Sequence, residues 1–178
     1  MSVSAIDLAG LLPDFSDRDI SENLAPIDGS AAVRRTVNGR LVSVASPNFR
    51  KYRLSVSGSD VEAPALGQLW PGDILSIVPF SFLTHFEQRP VNGWQNVDGE
   101  ISVELAREPL NGSVEISRGN GSQIATFYLT SSTVRFQASD DDFYIKYRPK
   151  MSVMVTSWTQ DESEISGSVS WSLEAEEV

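Results

Sequence analysis

The sequence has no cysteine and a single histidine in 178 residues. The first absence excludes disulfides and thiol chemistry, and the two together remove the usual ligand sets of structural zinc. Such a chain suits assembly in a reducing cytosol, and no cofactor is expected. Basic residues are also scarce, 14 Lys and Arg against 24 Asp and Glu, for a net charge of -10. Binding phosphates calls for an excess of cations on one face, so nucleic acid is not an expected partner. No uninterrupted apolar stretch approaches the roughly 20 residues a membrane helix needs. The opening MSVSAIDLAGLLPDF lacks the basic start and apolar run of a secretory signal, so a soluble protein with no membrane partner is expected.

A further lack is helical periodicity, and alternation takes its place. Arg53, Ser55 and Ser57 alternate with Tyr52, Leu54 and Val56, the period of a half-buried strand. Asn38-Gly39 between Val33–Val37 and Arg40–Val44 predicts a hairpin with a two-residue type I′ turn. Gly58 to Asp60 reads as a second turn. Trp70-Pro71-Gly72-Asp73 reads as a third, feeding the apolar run Ile74 to Phe80. Further strands are expected at 101–106, 114–117, 124–129, 134–137, 143–147, 151–158 and 166–173, with polar turns between them. Short strands at this spacing predict an all-β fold, an antiparallel β-sandwich or barrel.

Residues 1–30 stand apart, because Pro13, Pro26 and Gly29 break any longer element. They read as an N-terminal arm that packs across its own domain, reaches a neighbouring subunit or stays partly ordered. Residues 31–178 form the β domain, with a long hairpin or loop excursion around 88–123 that holds Trp94 in the polar string QRPVNGWQNVDG.

Tests for catalytic chemistry fail in turn. A Ser-His-Asp triad would need His85, which lies on the strand face opposite Phe82, Thr84 and Phe86, with no nucleophile elbow in the chain. Asp140-Asp141-Asp142 lacks the spaced ligands of a calcium loop and reads as a solvated turn. Gly119-Asn120-Gly121 lacks the context of a dinucleotide loop and reads as a hairpin turn, and no Walker-type motif occurs. The expectation is a protein that is not an enzyme.

Charge is polarised along the chain. Arg34, Arg35, Arg50, Lys51 and Arg53 lie in the first third, while residues 161–178 hold Asp161, Glu162, Glu164, Glu174, Glu176 and Glu177 and no base. Either the acidic end of one subunit meets the basic segment of the next, or both are solvated faces. In the first reading Arg34, Arg35, Arg50, Lys51, Arg53, Glu174, Glu176 and Glu177 are candidate interface residues. Trp158 and Trp171 read as core, whereas Trp94 is a candidate exposed contact for a sugar or an interface.

The segment from Phe143-Tyr144-Ile145-Lys146-Tyr147-Arg148-Pro149 through Met151–Val155 to Trp158 and Ser170-Trp171-Ser172-Leu173-Glu174 resembles small structural proteins of tailed bacteriophages. Arg35–Gly39, Phe49–Tyr52, Pro64–Leu66 and Trp70–Gly72 fall in the matching order, so the resemblance spans most of residues 34–178. It implies a virion protein assembled in the bacterial host cytoplasm, with copies of itself and other phage structural proteins as partners. The place it suggests is the tail, tail tip or baseplate. A capsid decoration protein is the alternative, and a carbohydrate-binding adhesin that recognises host glycan through Trp94 is the second.

Overall fold

A computed structural model describes residues 6–13, 19–27, 33–43, 50–88, 100–137, 141–165 and 167–178. In chain order the strands are β1 (Ser21–Pro26), β2 (Val33–Arg35), β3 (Leu41–Ser43), β4 (Tyr52–Asp60) and β5 (Ile74–Ile77). There follow β6 (Leu83–Glu87), β7 (Glu100–Glu104), β8 (Glu115–Arg118), β9 (Gln123–Ile124) and β10 (Phe127–Thr130). The last four are β11 (Thr133–Gln137), β12 (Phe143–Tyr147), β13 (Met151–Ser163) and β14 (Ser168–Glu177). The only helical element among the described residues is a 3₁₀ turn at Ala65–Gln68, so the all-β expectation holds.

The chain divides into two compact units, residues 1–77 with 152–178, and residues 78–151. The first is built on a curled five-stranded antiparallel sheet, a half-barrel of order β1-β4-β14-β13-β5. Alternation sorts its side chains: Leu54 and Val56 of β4, Leu173 and Ala175 of β14, and Val153 and Val155 of β13 are all buried. Residues from the segment read as an arm belong to this unit. Ile6, Leu8 and Leu11 are buried, Ala65 N–H donates to the Leu11 carbonyl at 2.9 Å, and β1 forms the edge of the sheet against β4.

Two local features depart from the sequence reading. Gly58 to Asp60 is not a turn, because β4 continues through it to Asp60. The glycine sits opposite Trp171, whose indole occupies the space a side chain would need. The Asn38-Gly39 hairpin forms, but its turn is a residue longer than predicted. Gly39 N–H donates to the Thr36 carbonyl at 2.8 Å and Thr36 N–H to that of Arg40 at 2.9 Å. Gly39 alone takes a positive φ, +76°. A type I′ turn would place Asn38 in the left-handed region as well; the three-residue loop leaves that conformation to glycine, which bears no steric cost for it.

The Trp70–Asp73 turn forms as read, with the Asp73 N–H on the Trp70 carbonyl at 3.0 Å and Gly72 at φ +104°. A β-bulge interrupts β13. Val155 pairs with Ala175 but Ser157 pairs with Glu174, so Thr156 is the extra residue. Its insertion reverses the facing of everything after it. Buried positions are odd up to Val155, whereas beyond the bulge the half-buried ones are Trp158 and Gln160.

The second unit is a β-sandwich of a three-stranded sheet, β10-β11-β7, and a four-stranded sheet, β6-β12-β8-β9. Its core draws Ile101, Val103, Val134 and Phe136 from one sheet and Ile116, Phe143, Ile145 and Tyr147 from the other. The rings of Phe136 and Phe143 meet edge to face across it at 4.9 Å. The single strand expected at 124–129 is instead two, β9 and β10, one in each sheet. The chain must change sheets between them, and a strand cannot serve both.

The Tyr147-Arg148-Pro149 step closes this sandwich. Arg148 donates from Nε to the Pro79 carbonyl at 2.8 Å and from Nη2 to that of Val78 at 3.2 Å. Its backbone carbonyl accepts from Leu110 N–H and its own N–H donates to Ser113 Oγ. Pro149 bridges to Pro109.

Candidate assembly surfaces

The antiparallel pairing of β4 with β14 decides the fate of most of the charges singled out in the sequence. Arg53 lies directly opposite Glu176, and its Nε and Nη2 donate to Glu176 Oε1 at 3.0 and 2.9 Å. Lys51 Nζ donates to the Val178 carbonyl at 2.7 Å, and Tyr52 N–H to Glu177 Oε2 at 3.0 Å. Glu174 accepts from Ser157 Oγ at 3.2 Å. The basic and acidic segments therefore meet within one chain. Cross-strand opposition of unlike charges is favourable, though an exposed pair of this kind contributes no more than about 1 kcal/mol. Arg50 is exposed just before β4. Trp94 lies outside the described residues.

Arg34 and Arg35 have a different setting. They stand on β2 of the β2–β3 hairpin, in which every residue from 33 to 43 is exposed. Arg35 Nη1 donates to the Gly39 carbonyl at 3.2 Å, which holds it along the ribbon, and Arg40 follows the turn. The hairpin holds no acidic residue, so it projects three cations from a chain of net charge -10. It also exposes Val33, Val37, Leu41 and Val42, with Val37 at the tip fully accessible. A two-stranded ribbon that buries none of its side chains is marginally stable in water by itself. Its large apolar groups gain most when another surface covers them.

The third surface was not visible in the sequence. Gly67, Leu69, Trp70, Pro71, Ser157 and Trp158 line an open cleft of about 250 Å³. The Trp70-Pro71-Gly72-Asp73 turn builds one wall. It is pinned by the Trp70 N–H to Asp73 Oδ2 bond at 2.7 Å, which leaves the Trp70 side chain 73% exposed. The other wall comes from β13 just past its bulge, where Trp158 is half-buried and donates from Nε1 to the Leu69 carbonyl at 3.0 Å. Trp158 was read as core; the bulge keeps it on the face of Val155 and Leu173, where it is half-buried and forms cleft wall. The useful signal was local, since Trp70-Pro71-Gly72-Asp73 is a turn and connecting segments run over the surface.

Elsewhere, His85 Nε2 and Glu87 Oε2 lie 2.8 Å apart on β6. No group of three or more His, Asp or Glu side chains among the described residues is placed to hold a metal ion. No helix in them is long and apolar enough to cross a membrane. Comparison with family models, with curated proteins and with solved structures finds no match.

Proposed function

We infer that this chain is a non-enzymatic structural component of a tailed-phage virion, in the tail, tail tip or baseplate. The observation that carries the assembly half of this reading is the β2–β3 hairpin. Three arginines and four large apolar side chains are exposed on a ribbon that gains stability from being covered. The phage half rests on the ordered resemblance of most of residues 34–178 to small phage structural proteins.

The reading also accounts for where the charges lie. With Arg53, Lys51, Glu176 and Glu177 engaged inside the chain, the cations presented outward on the hairpin are Arg34, Arg35 and Arg40. Electrostatic complementarity of this kind steers association and sets orientation more than it adds affinity. A partner rich in carboxylates suits it, and a second copy of this acidic chain is one.

The test is mass spectrometry of purified particles of the encoding phage, with gold-labelled antibody in electron microscopy. Several copies per particle, labelled at the tail, are expected. Label distributed over the head makes the protein a capsid decoration protein instead, and absence from mature particles overturns the structural reading.

A further inference from the structure

We propose that Val37, at the tip of the β2–β3 hairpin, docks in the Trp70–Trp158 cleft of a second copy of the chain. This rests on the assembly reading above and specifies the contact it would use. The knob is the hairpin tip, where Val37 is fully exposed and Arg34, Arg35 and Arg40 stand behind it. The socket is apolar on its indole, proline and leucine walls. At about 250 Å³ it is smaller than the roughly 300 Å³ at which small-molecule pockets begin, so it suits a side chain better than a ligand.

Charge gives the occupant. Two exposed carboxylates are hydrogen-bonded to the cleft's own lining, Asp73 to the Trp70 N–H and Glu174 to Ser157 Oγ. A cationic tip therefore meets acid beside the socket, and an arginine that reaches the exposed Trp70 face gains a cation–π contact. Knob and socket are different patches, so the contact is heterologous. Repeated from copy to copy, it builds a ring if the rotation closes and a filament if it does not.

The absence of cysteine makes the test clean, because an introduced thiol is the only one in the chain. Val37→Cys and Ser157→Cys proteins are mixed, oxidised and run without reductant. The expected result is a heterodimer well above the level given by Val37→Cys mixed with Ser117→Cys, whose thiol lies on the four-stranded sheet of the other unit. In parallel, sedimentation of the full chain is compared with Trp70→Ala and with Arg34→Glu/Arg35→Glu. All of these positions except Ser117 are exposed, so folding is not at stake. Each variant is expected to weaken self-association by at least about ten-fold, the size of a moderate interface hot spot.

Heterodimer no greater than the Ser117→Cys control overturns the proposal, as does a Val37→Cys/Ser157→Cys double variant that closes on itself as a monomer. Self-association untouched by Trp70→Ala also overturns it, yet leaves the virion reading standing. Absence of the protein from particles has the opposite effect: it removes the virion reading and leaves the measured contact.

Discussion

The indole of Trp171 lies against the backbone of Gly58, its partner across the β4–β14 pair. A Cβ added to Gly58 would stand 2.7 Å from Trp171 Cζ2 and 2.8 Å from Cε2. Those atoms are rings in a buried face and have little room to yield. Gly58→Ala is therefore expected to destabilise the protein by about 1–3 kcal/mol, as overpacked cores do. The check is a lower urea midpoint with an unchanged slope. In a double-mutant cycle with Trp171→Leu, the two costs should fall short of additive, because the smaller side chain vacates the space.

The Arg53–Glu176 pair predicts a smaller and salt-sensitive effect. Arg53→Glu places two carboxylates opposite each other and should cost about 0.5–1 kcal/mol at low salt. The exchange Arg53→Glu/Glu176→Arg should recover most of it. Thermal melts at low and high ionic strength check this, since the difference between single and double variants should shrink as salt screens the exposed pair.

Deleting Thr156 removes the extra residue of the β13 bulge. The ladder is then regular, with Ser157 still opposite Glu174 and Trp158 still opposite Leu173 on the face it now occupies. Straightening the strand moves the backbone that aims Trp158 Nε1 at the Leu69 carbonyl and removes the Thr156 bond, and should cost about 1–2 kcal/mol. The measurement is denaturant unfolding followed by tryptophan fluorescence: an earlier midpoint is expected, with native emission little changed because Trp158 keeps its face. A Thr156→Ala substitution keeps the residue count and should cost under about 1 kcal/mol, through its bond to the Glu174 carbonyl alone.

Arg148 predicts that charge alone will not serve. Its guanidinium meets the Val78 and Pro79 carbonyls through two different nitrogens, a fork that an ammonium does not reproduce. Arg148→Ala should destabilise by about 1–3 kcal/mol, and Arg148→Lys should recover less than half of that. Hydrogen exchange of the Leu110 and Lys150 amides, which flank the same step, reports the local loss if it does not spread to the whole chain.

The Tyr52–Ser57 stretch shows how much of the fold was legible. Alternation placed Tyr52, Leu54 and Val56 on one face and Arg53, Ser55 and Ser57 on the other; Leu54 and Val56 are buried, and Arg53 and Ser57 are exposed. The Asn-Gly and Trp-Pro-Gly-Asp turns were legible too, since each carries its own conformational requirement. What failed was any feature set by a partner distant in sequence. Gly58 looked like a turn because nothing near it reveals Trp171. Trp158 looked like core because nothing near it reveals Leu69 and Trp70, beside which it is cleft wall.

The sequence by itself determined the class of this protein. A period of two, frequent turn residues, no cysteine and an excess of carboxylates commit the chain to antiparallel sheets with an acidic surface, because each acts within a few residues or through a simple sum. Only the tertiary structure decided which charges answer one another. Arg53 and Glu176 are far apart along the chain and 2.9 Å apart across β4 and β14. Strand register, which no local rule fixes, draws that pair inside one molecule and leaves the hairpin arginines facing outward.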